Sequence, residues 1–107
     1  MAFTEKVFFQ ETIDSSNDTI YTGVSTDIIK IIWIANVHTI DVTVDLWFVP
    51  NGGSAADSNK LIPSTTIPIG EFIQIQTYLP MATGSTIVAK CSVADKASIC
   101  LAGASVT

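Results

Sequence analysis

The sequence predicts an all-β protein, a two-sheet antiparallel β-sandwich with about seven or eight short strands. Its 107 residues include 15 Ile, 9 Val and 13 Thr but only 4 Leu. β-Branched residues fit pleated, half-buried surfaces, whereas helices favour Leu, Ala, Glu and Lys. Apolar residues also recur with a period of two, and turn residues separate the alternating runs at short intervals. This combination is typical of sandwiches with jelly-roll or immunoglobulin-like connections.

The length of the chain fits one domain. We predict an N-terminal arm or first strand over residues 1–18 and a single sandwich domain over residues 19–107. Lys6–Ile13 has the composition of a strand, and the polar stretch Asp14–Asp18 is a predicted turn. A short strand follows at Thr19–Thr22.

The next two strands carry the clearest patterns. Ile28–Ala35 is apolar on both faces except at Lys30, so it needs cover from the opposing sheet and, we expect, from a second subunit. Ile40–Val49 alternates, which predicts one buried and one solvated face. The predicted buried positions are Ile40, Val42, Val44, Leu46 and Phe48, and the predicted solvated positions are Asp41, Thr43, Asp45 and Trp47.

The second half of the chain begins with a predicted exposed loop at Asn51–Lys60. Proline cannot donate to a strand ladder, so any strand containing Ile62-Pro63 and Ile67-Pro68 is expected at a sheet edge. The remaining predicted strands are Phe72–Leu79, Ser85–Ser92 and Ala97–Leu101, with a short tail at Ala104–Val106.

The two cysteines flank a predicted turn at Asp95-Lys96. A two-residue loop there would place Cys91 and Cys100 opposite each other, which makes a cross-strand bond geometrically possible. Because we expect synthesis in a reducing cytoplasm, two buried free thiols are the favoured interpretation.

Charge and hydropathy exclude two classes of partner. The chain has five lysines and no arginine against ten acidic residues, for a net charge of −5, which argues against nucleic acid. The apolar run from Ile28 to Ala35 is far shorter than the roughly 20 residues of a membrane-spanning helix. The N-terminus also lacks the pattern of a signal peptide, so no membrane association is expected.

The side chains predict no catalytic, metal or cofactor site. His38 is the only histidine and lies in a turn-like segment, with no nucleophile motif around a serine. At roughly 3.3 Å per residue, Asp41 and Asp45 are about 13 Å apart, beyond the span of about 5 to 9.5 Å that a glycosidase pair needs. Asp57-Ser58-Asn59 is only a fragment of a calcium loop, and the cysteines and histidine do not form a zinc motif.

Short blocks between Thr19 and the C-terminus occur in a suggestive order. They are Ile34-Ala35-Asn36, Val49-Pro50-Asn51-Gly52, Ile67-Pro68, the stretch from Leu79 to Ile87, and a hairpin of small residues that runs to Gly103. In this order they resemble small β-sandwich accessory proteins of tailed-bacteriophage virions, namely head decoration (cement) proteins and neck or tail-attached proteins. In such proteins Gly84 is often followed by aspartate, whereas this chain has Ser85.

The resemblance implies a non-enzymatic structural protein, present in many copies on a phage particle. We expect a capsid decoration protein that binds the major capsid protein or other virion proteins as a homo-oligomer, with a trimer favoured. It would be made in the host cytoplasm and reside in the virion. The alternatives are a neck, tail or fibre-attachment component and, from another class, a carbohydrate-binding module.

Apolar residues in excess of what so small a domain can bury predict the partner interface. The expected contributors are the arm around Phe8 and the strand around Trp33. The predicted interface residues are Val7, Phe8, Phe9, Ile28, Ile32, Trp33, Ile34 and Trp47.

Overall fold

Eight strands and one short 3-10 turn organise residues 3–106, which the computed structural model describes. The strands are β1 (Phe3–Thr12), β2 (Asp18–Thr22), β3 (Asp27–Asn36), β4 (Val42–Val49), β5 (Lys60–Ile67), β6 (Phe72–Pro80), β7 (Thr86–Cys91) and β8 (Ala97–Val106). The 3-10 turn, Asp57–Asn59, lies in the loop before β5. The predicted all-β class is confirmed. Met1, Ala2 and Thr107, which belong to the predicted segments, lie outside the described residues.

The strands form two four-stranded sheets that pack face to face. Sheet A has the order β1-β8-β3-β6 and sheet B the order β2-β7-β4-β5, and all the ladders are antiparallel. The first half of the chain thus pairs with the second half, strand by strand, in alternate sheets. This order is that of a jelly roll, one of the two predicted connections.

The core lies between the sheets and is filled by alternate residues of each strand. In β4 the predicted buried positions Val42, Val44 and Leu46 are fully buried, as the alternation requires. Phe48 is half-buried and packs against the same core. Ile40 precedes the strand and is exposed, so its predicted burial is wrong.

Trp47 differs from its predicted solvated position. Its side chain is only 8% exposed, because Val49 and Val88 pack around it on the outer face of sheet B. Ala55 of the long loop packs against this cluster, and the Lys60 ammonium lies 5.3 Å from the ring centroid. The loop therefore folds back over the sheet to cover part of a face that alternation alone assigns to solvent.

The predicted hairpin between the cysteines is also wrong. β7 and β8 belong to different sheets, so the segment between them crosses the sandwich. Cys91 lies opposite Val44 in sheet B, whereas Cys100 lies opposite Trp33 in sheet A. Both thiols are free and Cys91 is buried, as predicted, but the predicted burial of Cys100 is wrong, because Cys100 is half-buried on the outer side of sheet A.

The last strand is longer than its pattern suggests. β8 continues through Gly103 instead of stopping at Leu101, because the β3–β8 register shifts between Ile29 and Ile31. At this bulge the backbones approach so closely that a Cβ on Gly103 would overlap the Ile28 carbonyl. Glycine is therefore required by packing and does not end the strand.

Candidate interaction surface

The register of sheet A defines an outer face with an unusual composition. Trp33 lies between Cys100 and Gln74, and Cys100 lies opposite Gln10, which makes one row across the four strands. The row on one side is Val7, Ala102, Ile31 and Gln76, and the row on the other side is Thr12, Ser98, Ala35 and Phe72. We call these twelve residues the A face. None of them carries a formal charge.

Large apolar side chains project from the A face. Phe72 is 62% exposed, Val7 is 56% exposed and Trp33 is 40% exposed, while Ile31 is half-buried beside them. Trp33 and Phe72 are diagonal neighbours on adjacent strands, since Gln74 lies opposite Trp33. The face therefore combines exposed apolar area with small and amide side chains.

The outer face of sheet B has the opposite character. Lys60 forms an ion pair of 2.9 Å with Asp45, the Ser64 hydroxyl donates to the same carboxylate, and Lys90 lies across the ladder from it. Burial raises the pKa of Asp45, but the Ser64 hydrogen bond and the two lysines outweigh it and hold that pKa below its ordinary value. This charged and hydrogen-bonded group lies beside the Trp47 cluster that the loop covers.

The structure brings two of the predicted interface residues together on the A face, Val7 and Trp33. Ile32 and Ile34 are fully buried in the protomer, and Ile28 is buried as well. Ile32 and Ile34 point into the sandwich because side chains alternate along β3. These three side chains are therefore unavailable to a partner, and Trp47 is covered on sheet B.

Phe8 and Phe9 are neither exposed on the A face nor fully buried in the protomer. Both are half-buried and pack against the core at the open side of the sandwich. The Phe8 ring centroid is 5.2 Å from that of Tyr21 in β2, and the Lys6 ammonium lies 4.8 Å from the Phe8 centroid. The β1–β8 register shifts at this point. The two phenylalanines close the gap between the edge strands of the two sheets.

Sequence reasoning missed Phe72 and Tyr78. Their side chains are 62% and 66% exposed, the largest values among the bulky apolar residues described in residues 3–106. Both lie on β6, where burial alternates regularly along the strand. The sequence of β6 contains a signal for this surface. Its outward-facing residues, which alternate with the inward-facing ones, carry no charge; they are Phe72, Gln74, Gln76 and Tyr78.

A buried carboxylate ties one end of the sandwich together. Asp27 is 1% exposed, and its two oxygens accept hydrogen bonds from the Tyr21 hydroxyl at 2.6 Å, the Ser105 hydroxyl at 2.8 Å and the Val24 amide at 3.2 Å. We call these four residues the Asp27 cluster. It links β2, β3 and β8, which makes it a structural clamp.

The pKa values of the Asp27 cluster agree with that role. Burial raises the pKa of Asp27, but the hydrogen bonds and the nearby Lys6 charge outweigh burial and lower it below its ordinary value. Burial, together with the neighbouring carboxylate, raises the pKa of Tyr21 to about 12. Asp27 is thus an ionised, fully hydrogen-bonded acceptor, which is unsuited to acid–base catalysis near neutral pH.

The other polar candidates are held in turns. The His38 amide donates to the Asn36 side chain, whose amide group in turn donates to the Ile40 and Ile67 carbonyls. Asp41 accepts a hydrogen bond from the Ile69 amide. Across residues 3–106, no three His, Cys, Asp or Glu side chains are grouped so that they could hold a metal ion.

The surface of the described residues includes two open depressions. One, of about 310 Å³, is lined by Glu5, Lys6, Val7, Ala102 and Gly103, and the other, of about 340 Å³, surrounds Thr19, Ala55 and Val88. Neither has an aromatic side chain or a histidine in its lining. They offer no aromatic ring on which a small ligand could stack.

In the described part of the chain, no helix has the length and hydrophobicity needed to cross a membrane. Comparisons of the sequence and the structure with protein-family models, curated proteins and solved structures find no match.

Proposed function

We propose that this protein is a non-enzymatic capsid decoration protein of a tailed bacteriophage, which binds the major capsid protein shell as a homo-oligomer and stabilises it. The observation that carries the proposal is the A face, twelve residues without a charge on a chain whose net charge is −5. Such a face can be covered by a protein without removing charges from water, which is what protein interfaces require at their centre.

The shape of the molecule suits this role. It measures 45 × 27 × 18 Å along its principal axes, so its broad side is large enough for the roughly 800 Å² that each partner contributes to a standard interface, with the A face as the uncharged part. A slab of this shape can lie flat on a shell. Each contact adds a modest free energy, and symmetry repeats it many times, so that the shell resists rupture through avidity.

Fold and sequence blocks support the virion part of the proposal. Jelly rolls occur in viral capsid proteins, although they also occur in lectins and cupins, so the fold alone does not decide function. The ordered blocks from Ile34-Ala35-Asn36 to Gly103 resemble those of phage accessory proteins. Asp27 and Asp45 have structural partners, which supports a protein that makes and breaks no bonds.

Sedimentation with capsids tests the proposal. Undecorated shells of the phage that encodes this chain should carry the protein down in a saturable manner. Trp33→Asp should weaken binding at least tenfold, because it places a charge in the centre of the A face. Thr66→Asp, the matched control on the outer face of sheet B, should bind like the original protein. Absent binding at tens of micromolar, or equal binding by the two variants, would contradict the proposal.

A neck, tail or fibre-attachment component would use the same face on a different virion protein. Copy number distinguishes the two, because a decoration protein occurs once or more per capsomer whereas a neck or tail component occurs in a few rings. Quantitative mass spectrometry of intact particles would give the ratio of this chain to the major capsid protein. A ratio near one supports decoration.

A carbohydrate-binding module is the second candidate, and Trp33 with its exposed diagonal neighbour Phe72 favours it. Exposed aromatic rings can stack on sugar rings. If a glycan array gives specific binding that Trp33→Ala abolishes, this candidate replaces the decoration protein. We expect no glycan signal, because neither Trp33 nor Phe72 lines one of the two depressions described above, whereas small-molecule sites are concave.

A further inference from the structure

Four strands of the described sandwich lie at sheet edges, β1 and β6 in sheet A and β2 and β5 in sheet B. An edge strand presents unpaired amide and carbonyl groups to which another strand can add. Natural proteins prevent this with charges, prolines, bulges or very short edge strands. The four edges of this protein differ in how many of these protective features they carry.

Three of the edges carry such protection. β1 contains Glu5, Lys6 and Glu11 and has a register shift beside Phe8. β2 is five residues long and also has a register shift. β5 contains Pro63 within the strand, begins with a lysine and pairs irregularly with β4.

The fourth edge carries less protection, because it lacks charges and its proline is terminal. β6 has nine residues without a charged side chain, and its burial alternates regularly from Phe72 to Pro80. Its ladder with β3 has one register shift, between Gln76 and Leu79, where β6 has one residue more than β3. Its only proline, Pro80, is its last residue.

The free backbone groups of β6 can be assigned from its neighbours. The Asn36 amide donates to the Glu71 carbonyl before β6, and the Met81 amide donates to the Asp27 carbonyl after it. In an antiparallel ladder the direction of these groups alternates, so odd-numbered residues face β3. The amides and carbonyls of Phe72, Gln74, Gln76 and Tyr78 therefore face away from the sheet.

We propose that β6 of one copy pairs in antiparallel fashion with β6 of a second copy, across a two-fold axis at Ile75. Residues equidistant from Ile75 then face each other. Phe72 lies opposite Tyr78 of the second copy, and Gln74 lies opposite Gln76. All four of these residues have outward backbone groups, so each pair exchanges two backbone hydrogen bonds.

A second copy fits this edge better than a charged partner does. Each chain has a net charge of −5, and β1 and β2 carry acidic side chains, so two copies repel at those edges. At β6 no charges oppose each other. The proposed register instead pairs aromatic with aromatic and amide with amide, combinations that favour cross-strand association. It also covers Phe72 and Tyr78, the most exposed bulky apolar residues described.

The pairing joins two copies of sheet A into a continuous eight-stranded sheet, in which the two A faces are adjacent. A two-fold contact of this kind is closed and produces a dimer, in place of the trimer that the resemblance implies. The inference rests on the self-association part of the proposed function and is independent of the capsid shell.

Charge substitutions at the paired glutamines test both the edge and the register. The original protein should be a dimer by light scattering at tens of micromolar. Gln74→Lys with Gln76→Lys places lysine opposite lysine and should weaken dimerisation at least tenfold. Gln74→Lys with Gln76→Glu places lysine opposite glutamate in the proposed register and should restore the dimer.

The opposite edge of the same sheet supplies the control. Gln10→Lys with Thr12→Lys adds the same charge to two exposed residues of β1, and this variant should remain a dimer. All variants change exposed side chains, and circular dichroism should give melting temperatures close to that of the original protein.

Several results would overturn the inference. They are a monomeric or trimeric original protein, a dimer that survives the double lysine substitution on β6, or a lysine–glutamate variant that stays monomeric. Capsid sedimentation separates this inference from the proposed function. Dimers that do not bind shells contradict only the function, whereas monomers that bind shells contradict only the β6 pairing.

Discussion

Asp27 is the residue on which one end of the sandwich depends. Its carboxylate is buried and accepts hydrogen bonds from Tyr21, Val24 and Ser105, which belong to three separate parts of the chain. Removal of such an acceptor breaks three hydrogen bonds to a charged group, each worth about 1.5 to 3 kcal/mol, and water can replace part of this because the donors are partly exposed.

Asp27→Ala should therefore lower the free energy of unfolding by about 3 kcal/mol. Asp57→Ala is the control, because Asp57 is exposed on the loop and its replacement should change stability by less than about 0.5 kcal/mol. Urea denaturation measures both. Equal effects of the two substitutions would show that the cluster does not stabilise the fold.

The same carboxylate predicts a response to acid. The pKa of Asp27 is lower in the folded protein than its ordinary value, so the folded state holds its proton less tightly than the unfolded state. Its contribution is fully present above the unfolded pKa of about 3.9 and is lost as pH falls through the folded pKa.

We expect the free energy of unfolding to fall as pH decreases below about 5, and to fall less steeply in Asp27→Asn. Urea midpoints between neutral pH and about pH 3 give both slopes. Asp45, whose pKa is also lowered, adds to the slope in both proteins, so only the difference between the curves reports Asp27. Parallel curves would contradict the assignment.

Among the elements, the β3 bulge sets the geometry of sheet A. Gly103 allows β8 to pass so close to the Ile28 carbonyl that no Cβ fits. Gly70 provides a comparison, because its φ of +73° is unfavourable for other residues but its surroundings are open. The two glycines separate the effect of close packing from that of backbone conformation.

Gly103→Ala should destabilise the protein by about 3 kcal/mol or more, because backbone atoms must shift. Gly70→Ala should lower stability by only about 1 to 2 kcal/mol, the usual penalty for a left-handed conformation. Thermal unfolding of the two variants gives the order. If Gly103→Ala were the milder change, the close approach would not be real.

Strand positions could be predicted from alternation, but contacts between distant segments could not. Val42, Val44 and Leu46 are buried as predicted, because a two-residue period specifies the side of the sheet. Trp47 follows the same period, yet a loop covers it. The predicted hairpin between Cys91 and Cys100 is wrong, because a local turn signal does not show whether the chain reverses within one sheet or crosses to the other sheet.

The candidate site was predictable only in part for the same reason. The strand Ile28–Ala35 is apolar on both faces, so its sequence predicts two buried faces. For the same reason, its sequence does not show which side chains face the core and which face the surface. Trp33 and Val7 could be named, whereas Phe72 could not, because its position beside them depends on strand order. The bulge beside Lys30 also shifts the alternation within β3, which no local pattern reveals.

At the scale of the whole molecule, both sheets carry charged residues, but the A face does not. Sheet B carries the ion pair of Lys60 and Asp45, whereas the charged residues of sheet A lie outside the A face; they include Glu5, Lys6, Glu11 and Lys30. Association through the A face or β6 thus brings no charged pairs together, but it does bring together two chains of net charge −5.

The dimer should therefore become slightly tighter as salt increases, because screening reduces the net repulsion. Sedimentation equilibrium from about 0.01 M to about 1 M salt should show a dissociation constant that falls by a few-fold. A dissociation constant that rises steeply with salt would indicate an interface held by ion pairs, and would contradict the uncharged contact.

Electron microscopy of an intact particle would show both the position of this chain and the face that it uses. We expect density for this jelly roll on the head shell in pairs, with adjacent β6 strands antiparallel and the A face with Trp33 against the capsid protein. Particles in which the chain is absent, or in which sheet B faces the shell and the A face is open to solvent, would contradict this expectation.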